Sequence, residues 1–163
     1  MRARRSHRAM EVGTERKKRI IIATDGSEFS QRAIKEACNW IRPHNTEILC
    51  ISTFEMPPPY MTDPAFSTGV YTQEAWDILK AGAEVCVKNA MAEISKHFSS
   101  NEVSITTETP EGPADKIIVE KAEKWHADLI VVGSHGRGFW GRLLGSVSNG
   151  IVHHAPYSVL VVK

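Results

Sequence analysis

Short apolar runs alternate along this chain with longer stretches whose apolar positions recur every three or four residues. Residues 19–25, RIIIATD, form a continuous β-branched run that predicts a buried strand, ending at Gly26-Ser27. From about Ser30, residues Ala33, Ile34, Ala37, Cys38 and Ile41 share one helical face, and Pro43 closes that helix. Residues 47–53, EILCIST, predict a second strand. Residues 55–70 hold four prolines and read as a loop, long enough to be functional. A long helix is expected from about Thr72 to Phe98, its face made by Leu79, Ala83, Cys86, Ala90, Ile94 and Phe98. Residues 103–109 alternate and suit a third strand. Gly112-Pro113 then opens a helix carrying Ile117, Ile118, Ala122 and Trp125. The strand DLIVVG (128–133), a glycine-rich loop, a helix from Gly145 to His154 and a last strand SVLVVK (158–163) complete the pattern.

Five strands separated by helices imply an α/β fold with an open, doubly wound parallel sheet and helices on both faces. Ligands of such sheets sit beyond the carboxyl ends of the strands, where the strand order reverses. The first strand ends at Thr24-Asp25-Gly26 and the fourth at Gly133. If these strands are neighbours, both ends face one crevice.

The glycine loop carries the most chemistry. Gly133, Gly136, Gly138, Gly141 and Gly145 fall within thirteen residues and lead into a helix. Glycine lets a ligand approach backbone N–H groups, and a helix start presents unpaired donors at the positive end of a dipole. The expected ligand is an anion, most simply a phosphate. No Asp or Glu follows Asp128, whereas Arg137, Arg142 and Lys163 do. Two familiar phosphate motifs do not account for the loop. The P-loop needs a lysine before its Ser/Thr, and none precedes Ser146. A formal GxGxxG occurs at Gly136, Gly138 and Gly141, but no acidic residue follows to hold a ribose. His135 lies between glycines, with no Ser/Asp partner evident for catalysis.

Charge and cysteines refine the picture. Residues 1–19 carry a net +6 and the rest −5. The tail, 1–16, has no apolar core of a secretory signal and is read as a disordered, solubilising extension rather than a nucleic-acid arm. No apolar run approaches the length of a membrane span. Cys38, Cys50 and Cys86 have no zinc spacing and are expected to be buried small hydrophobes, which fits a reducing cytoplasm. His153-His154 are adjacent on a helix, so they do not face one point and are read as a terminal turn before Pro156.

Gly133-Ser-His-Gly136, a spacer, then Gly145-Ser146, a helix and a final apolar strand resemble the universal stress protein family. The opening ATDGSEFSQRAIKEA, the segment EGPADKIIVEKAEKWHADLIVVGSHGRG and the closing APYSVLVVK are similar to that family in the same order, over residues 17–163. The resemblance implies one domain of the adenine-nucleotide alpha-hydrolase-like type, with strand order 3-2-1-4-5 and a homodimer through the last strand, 158–163. It also implies ATP, by the pattern G-x2-G-x9-G-[ST] of one branch, with AMP or a cyclic nucleotide as alternatives. By the same resemblance, Ala23, Thr24 and Asp25 would lie near the ribose or adenine, and Thr53 would border the adenine. Val132, Gly133, His135, Gly136 and Arg137 would line the ribose and phosphates. Gly145, Ser146, Val147 and Ser148 would give N–H and hydroxyl donors to the phosphates. Asp25 would be the metal-side carboxylate if Mg²⁺ enters with ATP. The spacer RGFWGRLL departs from the pattern, with eight residues where the family has nine.

The expected activity is that of a cytoplasmic, dimeric, ATP-binding regulator with slow or no hydrolysis, because no residue is evident to activate water. The rivals are an interaction module that binds no nucleotide and a slow nucleotide hydrolase or adenylate-transferring enzyme.

Overall fold

β1 (Lys18–Ala23), α1 (Glu28–Cys38), β2 (Thr46–Ile51), α2 (Gln73–Ile94), β3 (Ser104–Glu108), α3 (Ala114–Trp125), β4 (Leu129–Gly133), α4 (Ser146–His154) and β5 (Ser158–Val162) alternate along the chain. The computed structural model describes residues 16–56, 72–136 and 143–163. Most of the proline-rich loop and residues 137–142 of the glycine loop lie outside them. All the strand pairings are parallel and the order is β3-β2-β1-β4-β5. The predicted fold class and strand order are therefore those observed.

The unbroken apolar runs of the central strands follow from burial on both faces. In β1, Ile20 and Ile22 join a core under α1 and α2, while Ile21 and Ala23 join a second core under α3 and α4. β2 repeats this with Ile48 and Cys50 against Leu49 and Ile51, and β4 with Val131 against Ile130 and Val132. Each fully buried isoleucine or leucine contributes about 2 kcal/mol of transfer free energy. The edge strands β3 and β5 are only partly buried, so their patterns are weaker.

Helix ends differ from the predicted ones in informative ways. α1 begins at Glu28, not Ser30, because Ser27 is its N-cap and accepts from Ser30 N at 3.2 Å. It closes at Cys38, before Pro43 is reached, with the Asn39 N–H on the Glu36 and Ala37 carbonyls. α2 ends at Ile94, short of Phe98. α4 begins at Ser146, with Gly145 as N-cap. His153 and His154 do form the last turn of α4, and His154 Nδ1 lies 2.8 Å from the Gly150 carbonyl.

Two features place the crevice. At the amino end of the sheet, β1 and β4 are locked together: Arg19 N donates to Asp128 Oδ2 and Asp128 N donates to the Arg19 carbonyl, both at 2.8 Å. Toward the carboxyl end their pairing stops at Ile22↔Val131. Beyond it, β1 turns into α1 while β4 runs on to Gly133. There α1 packs so closely that a Cβ on Gly133 would lie 2.7 Å from Phe29 C and 2.8 Å from Ser30 N.

The cysteines are not equivalent. Cys50 is fully buried and Cys86 nearly so, but Cys38 is only half-buried, a correction to the expectation that all three are core residues. Burial pushes the Cys50 thiol up from 9.0 to about 12, and burial followed by the nearby Glu93 charge also raises Cys38.

Two expectations follow. Gly133→Ala must move backbone, so it should cost roughly 1–3 kcal/mol in urea unfolding; Gly82→Ala, with open space around it on α2, should instead stabilise by roughly 1 kcal/mol. Equal and small effects would contradict this packing. For Cys50, the unfolded thiol ionises near 9 and the folded one near 12. The Cys50 contribution is intact below pH 9 and is lost as pH rises toward 12. Unfolding free energies across that range should fall less steeply for Cys50→Ala than for the native chain, and parallel slopes would refute the assignment.

Candidate nucleotide-binding crevice

Beyond the carboxyl ends of β1, β2 and β4 lies a crevice of about 140 Å³. Its wall includes Ala23, Thr24 and Asp25 from the end of β1, Thr53 after β2, and Val132, Gly133, His135 and Gly136 at the end of β4. Gly145, Ser146, Val147 and Ser148 at the start of α4 complete it. Every predicted site residue within the described part of the chain is thus brought to one place. Arg137 lies outside the described residues, as do Gly138, Phe139, Trp140, Gly141 and Arg142.

Four wall residues were not predicted: Ser30, Ile51, Ala114 and Ile118. Ile51 and Ile118 carry the signal of ordinary core positions, and both do pack in the core under α3 and α4. The crevice is where that core reaches the surface. Ser30 is buried in the first turn of α1, which the sequence reading began only at that residue. Ala114 has one faint signal, the Gly112-Pro113 helix start beside it. The slot between Ala23, Ile51, Ala114, Ile118 and Val132 is apolar and suits a flat ring.

The β1–α1 turn is a closed hydrogen-bond system. Ser27 N donates to Asp25 Oδ1 at 3.0 Å, an Asx turn. Gly26, with φ +77°, donates its N–H to Thr24 Oγ1 at 3.2 Å. The Thr24 hydroxyl bonds Ser30 Oγ at 3.1 Å, and the Ser30 hydroxyl donates to the Ser27 carbonyl at 2.9 Å. Asp25 therefore fixes the turn as well as facing the crevice. A Cβ on Gly136 would lie 2.9 Å from Asp25 Oδ2, so glycine there lets the carboxylate and the loop meet.

The β4–α4 side is held by backbone. Ser134 N donates to the Val162 carbonyl at 2.7 Å, extending the β4–β5 ladder. The Ser134 carbonyl accepts Gly145 N at 2.8 Å and Ser148 Oγ at 2.8 Å. Ser134 Oγ and His135 Nδ1 are 3.0 Å apart, which gives His135 the serine partner that the sequence did not reveal. Its ring is buried and tilts against Phe29 with 5.1 Å between centroids. Ser27 Oγ donates to the His135 carbonyl at 3.4 Å, joining the two sides.

Helix capping separates α4 from α1 and α2. Ser27 caps α1 and Thr72 caps α2, each accepting a first-turn N–H. α4 is capped by Gly145, which has no side chain to offer, and no side chain caps it. Its first-turn N–H groups, from Ser146 to Ser148, lie at the crevice wall with the positive end of the helix dipole. A Cβ on Gly145 would stand 3.3 Å from both the Ser134 carbonyl oxygen and His135 Cα.

Taken together, these features define a doubly wound α/β protein with a crevice at the switch point of its sheet, lined by an acidic turn on one side and a glycine-capped helix start on the other. The sequence model of the universal stress protein family matches residues 17–163, and the chain belongs to that family. Universal stress protein MJ0531 of Methanocaldococcus jannaschii is 35% identical over 147 residues, covering 90% of this chain and 82% of that protein. Universal stress protein UspA from Lactobacillus plantarum superposes with a TM-score of 0.70 at 25% identity, covering 91% of this chain and 99% of that one. A universal stress protein solved in complex with cAMP superposes with a TM-score of 0.59 at 24% identity, covering 90% and 97%. Among the described residues no helix is long and apolar enough to cross a membrane.

Proposed function

We propose that this protein binds an adenine nucleotide, ATP first among them, in the crevice, and acts as a dimeric regulator with slow or no hydrolysis. The observation that carries the reading is the start of α4. Its cap is a side-chain-free glycine beside a second glycine step, Gly133 to Gly136, so that an anion takes the place of a capping oxygen. In this reading the apolar slot beyond Thr53 takes the base, and Asp25, on the crevice wall, accepts from a ribose hydroxyl. The cAMP in the fold neighbour's complex is an adenine nucleotide too, so the ligand panel below includes it.

Mg²⁺ needs few protein ligands when phosphate oxygens are present. Asp25 is the one acidic residue on the described wall, and one carboxylate oxygen already holds the Ser27 N–H. That arrangement fits an ion entering on the nucleotide's phosphates, with Asp25 as its protein-side oxygen. In this reading the chain's contribution is binding and orientation, because Asp25 is engaged with the Ser27 N–H and the buried His135 ring with Ser134 Oγ and Phe29. Multiple turnovers per second with ATP and Mg²⁺ would refute this part.

The dimer is proposed through β5. It is an edge strand of half-buried valines and leucine, and an unpaired apolar edge invites a second copy. A monomer in sedimentation at high concentration would exclude it. In place of regulation by nucleotide, the rival reading is a pure interaction module.

The decisive measurement is mass analysis of nucleotide released from the purified protein, followed by calorimetric titration with ATP, AMP and cAMP. At least one should bind. Gly145→Val pushes the Ser134–His135 backbone and fills the approach to α4, so affinity should fall by roughly ten- to a hundredfold while the far-UV spectrum is kept. A native protein that releases and binds none of them would establish the interaction-module reading instead, and unchanged affinity in the variant would move the site elsewhere.

A further inference from the structure

Ser148 is a wall residue whose hydroxyl is already in use. It is 2% exposed, and Oγ lies 2.8 Å from the Ser134 carbonyl and 3.1 Å from the Gly145 carbonyl. A hydroxyl has one hydrogen to donate. Both neighbours are carbonyl oxygens, which only accept, so that hydrogen is shared between them. An ionised phosphate oxygen also only accepts. For Ser148 Oγ to serve a phosphate, it would have to abandon the buried Ser134 carbonyl and the part-buried Gly145 carbonyl. The resemblance that assigned it a phosphate-donating hydroxyl is not supported by this geometry.

The bonds instead describe a brace. Ser134 directly follows the end of β4, and its position is set from behind by its N–H on the Val162 carbonyl at 2.7 Å. Its carbonyl takes Gly145 N and Ser148 Oγ, the N-cap and the third residue of α4. Ser148 also reaches back to the cap residue's own carbonyl, which accepts Asn149 N at 2.9 Å in the first full helical bond. Helix starts of the capping-box type tie cap and third residue to each other. Here both are tied to a neighbouring strand. The first-turn N–H groups are thereby held at a fixed offset from Gly133 and Gly136.

We propose that Ser148 is a positioning residue: its hydroxyl sets the distance between the two glycine steps, and so the preference of the crevice for a phosphorylated ligand over the bare nucleoside. The proposal rests on the adenine-nucleotide reading above. On this reading a spacer one residue shorter than the family pattern is compatible with binding. The offset is fixed by hydrogen bonds across the gap, not by the length of chain that spans it.

The test compares ATP with adenosine, which share base and ribose. Calorimetry on Ser148→Ala should show ATP affinity lowered about tenfold, with adenosine affinity unchanged and Ser148→Thr restoring the difference. In the ligand-free protein, hydrogen exchange at the Gly145 and Asn149 amides should quicken in Ser148→Ala and recover in Ser148→Thr. Equal losses for ATP and adenosine would reduce Ser148 to a stabilising residue and overturn the proposal. An ATP-selective loss with Gly145 exchange unchanged would mean direct phosphate contact and also overturn it. Should the alanine variant not fold, Ser148→Cys, close in size and a weak donor, gives the same readouts. A native protein that binds neither ligand fails the nucleotide reading itself. Native ATP binding without the selective loss in the variant fails the brace alone.

Discussion

The crevice depends on the contact between Gly133 and the first turn of α1. Backbone atoms of Phe29 and Ser30 occupy the space where any other residue at 133 would carry a Cβ. Such a contact leaves no slack. It sets where α1 starts relative to the end of β4, and through the Ser27 cap it sets the whole Thr24–Ser30 turn. The sequence reading assigned Gly133 to ligand approach. The structure gives it the earlier task of letting helix and strand touch, and the crevice is the consequence.

The same contact explains the division of labour around the site. The β1 half contributes a rigid, internally hydrogen-bonded turn with an acidic group, and both halves share the apolar slot with β2 and α3. The β4 half contributes backbone donors and no acidic side chain. A ligand matched to both has a flat apolar end, hydroxyls in the middle and negative charge at the far end. The Arg19–Asp128 exchange closes the two halves at the amino end of the sheet, so the gap between them opens only toward the carboxyl ends of the strands. Placing the cradle on backbone also makes it insensitive to most side-chain changes, since N–H groups are present whatever the residue.

How much of this was legible in the sequence depended on whether the signal was local. The central strands could be read because burial on both faces writes an unbroken apolar run, as in Ile20-Ile21-Ile22. The two glycine steps of the crevice wall could be read because glycines cluster there. Ser27 as the cap of α1 was missed, since Ser27 and Ser30 compete for the same role and only the direction of the Ser30 N–H decides between them. Ile118 and Ala114 were missed because a helix face against a sheet looks alike whether it ends in core or in a crevice. Cys38 was placed too deep, because a helix face drawn from periodicity has no edges, and Cys38 lies at the edge. The serine partner of His135 is its own neighbour. Adjacent residues on a strand point apart, and these two meet only because the strand has already ended at Gly133.

The edge strand ties these local matters to the assembly. β5 pairs with β4 from Leu129↔Ser158 to Gly133↔Val162, and the ladder continues one bond further into Ser134. The carbonyl that braces α4 belongs to that same residue. The last strand is therefore not structurally separate from the crevice, because its final carbonyl holds the peptide to which the start of α4 is bonded. Displacement of β5 along its ladder would shift Ser134, and a shift of Ser134 would change the offset of α4. If two copies pair through this edge, nucleotide binding and pairing act on a shared structural element. Linkage then requires that any influence of one on the other be reciprocal in free energy.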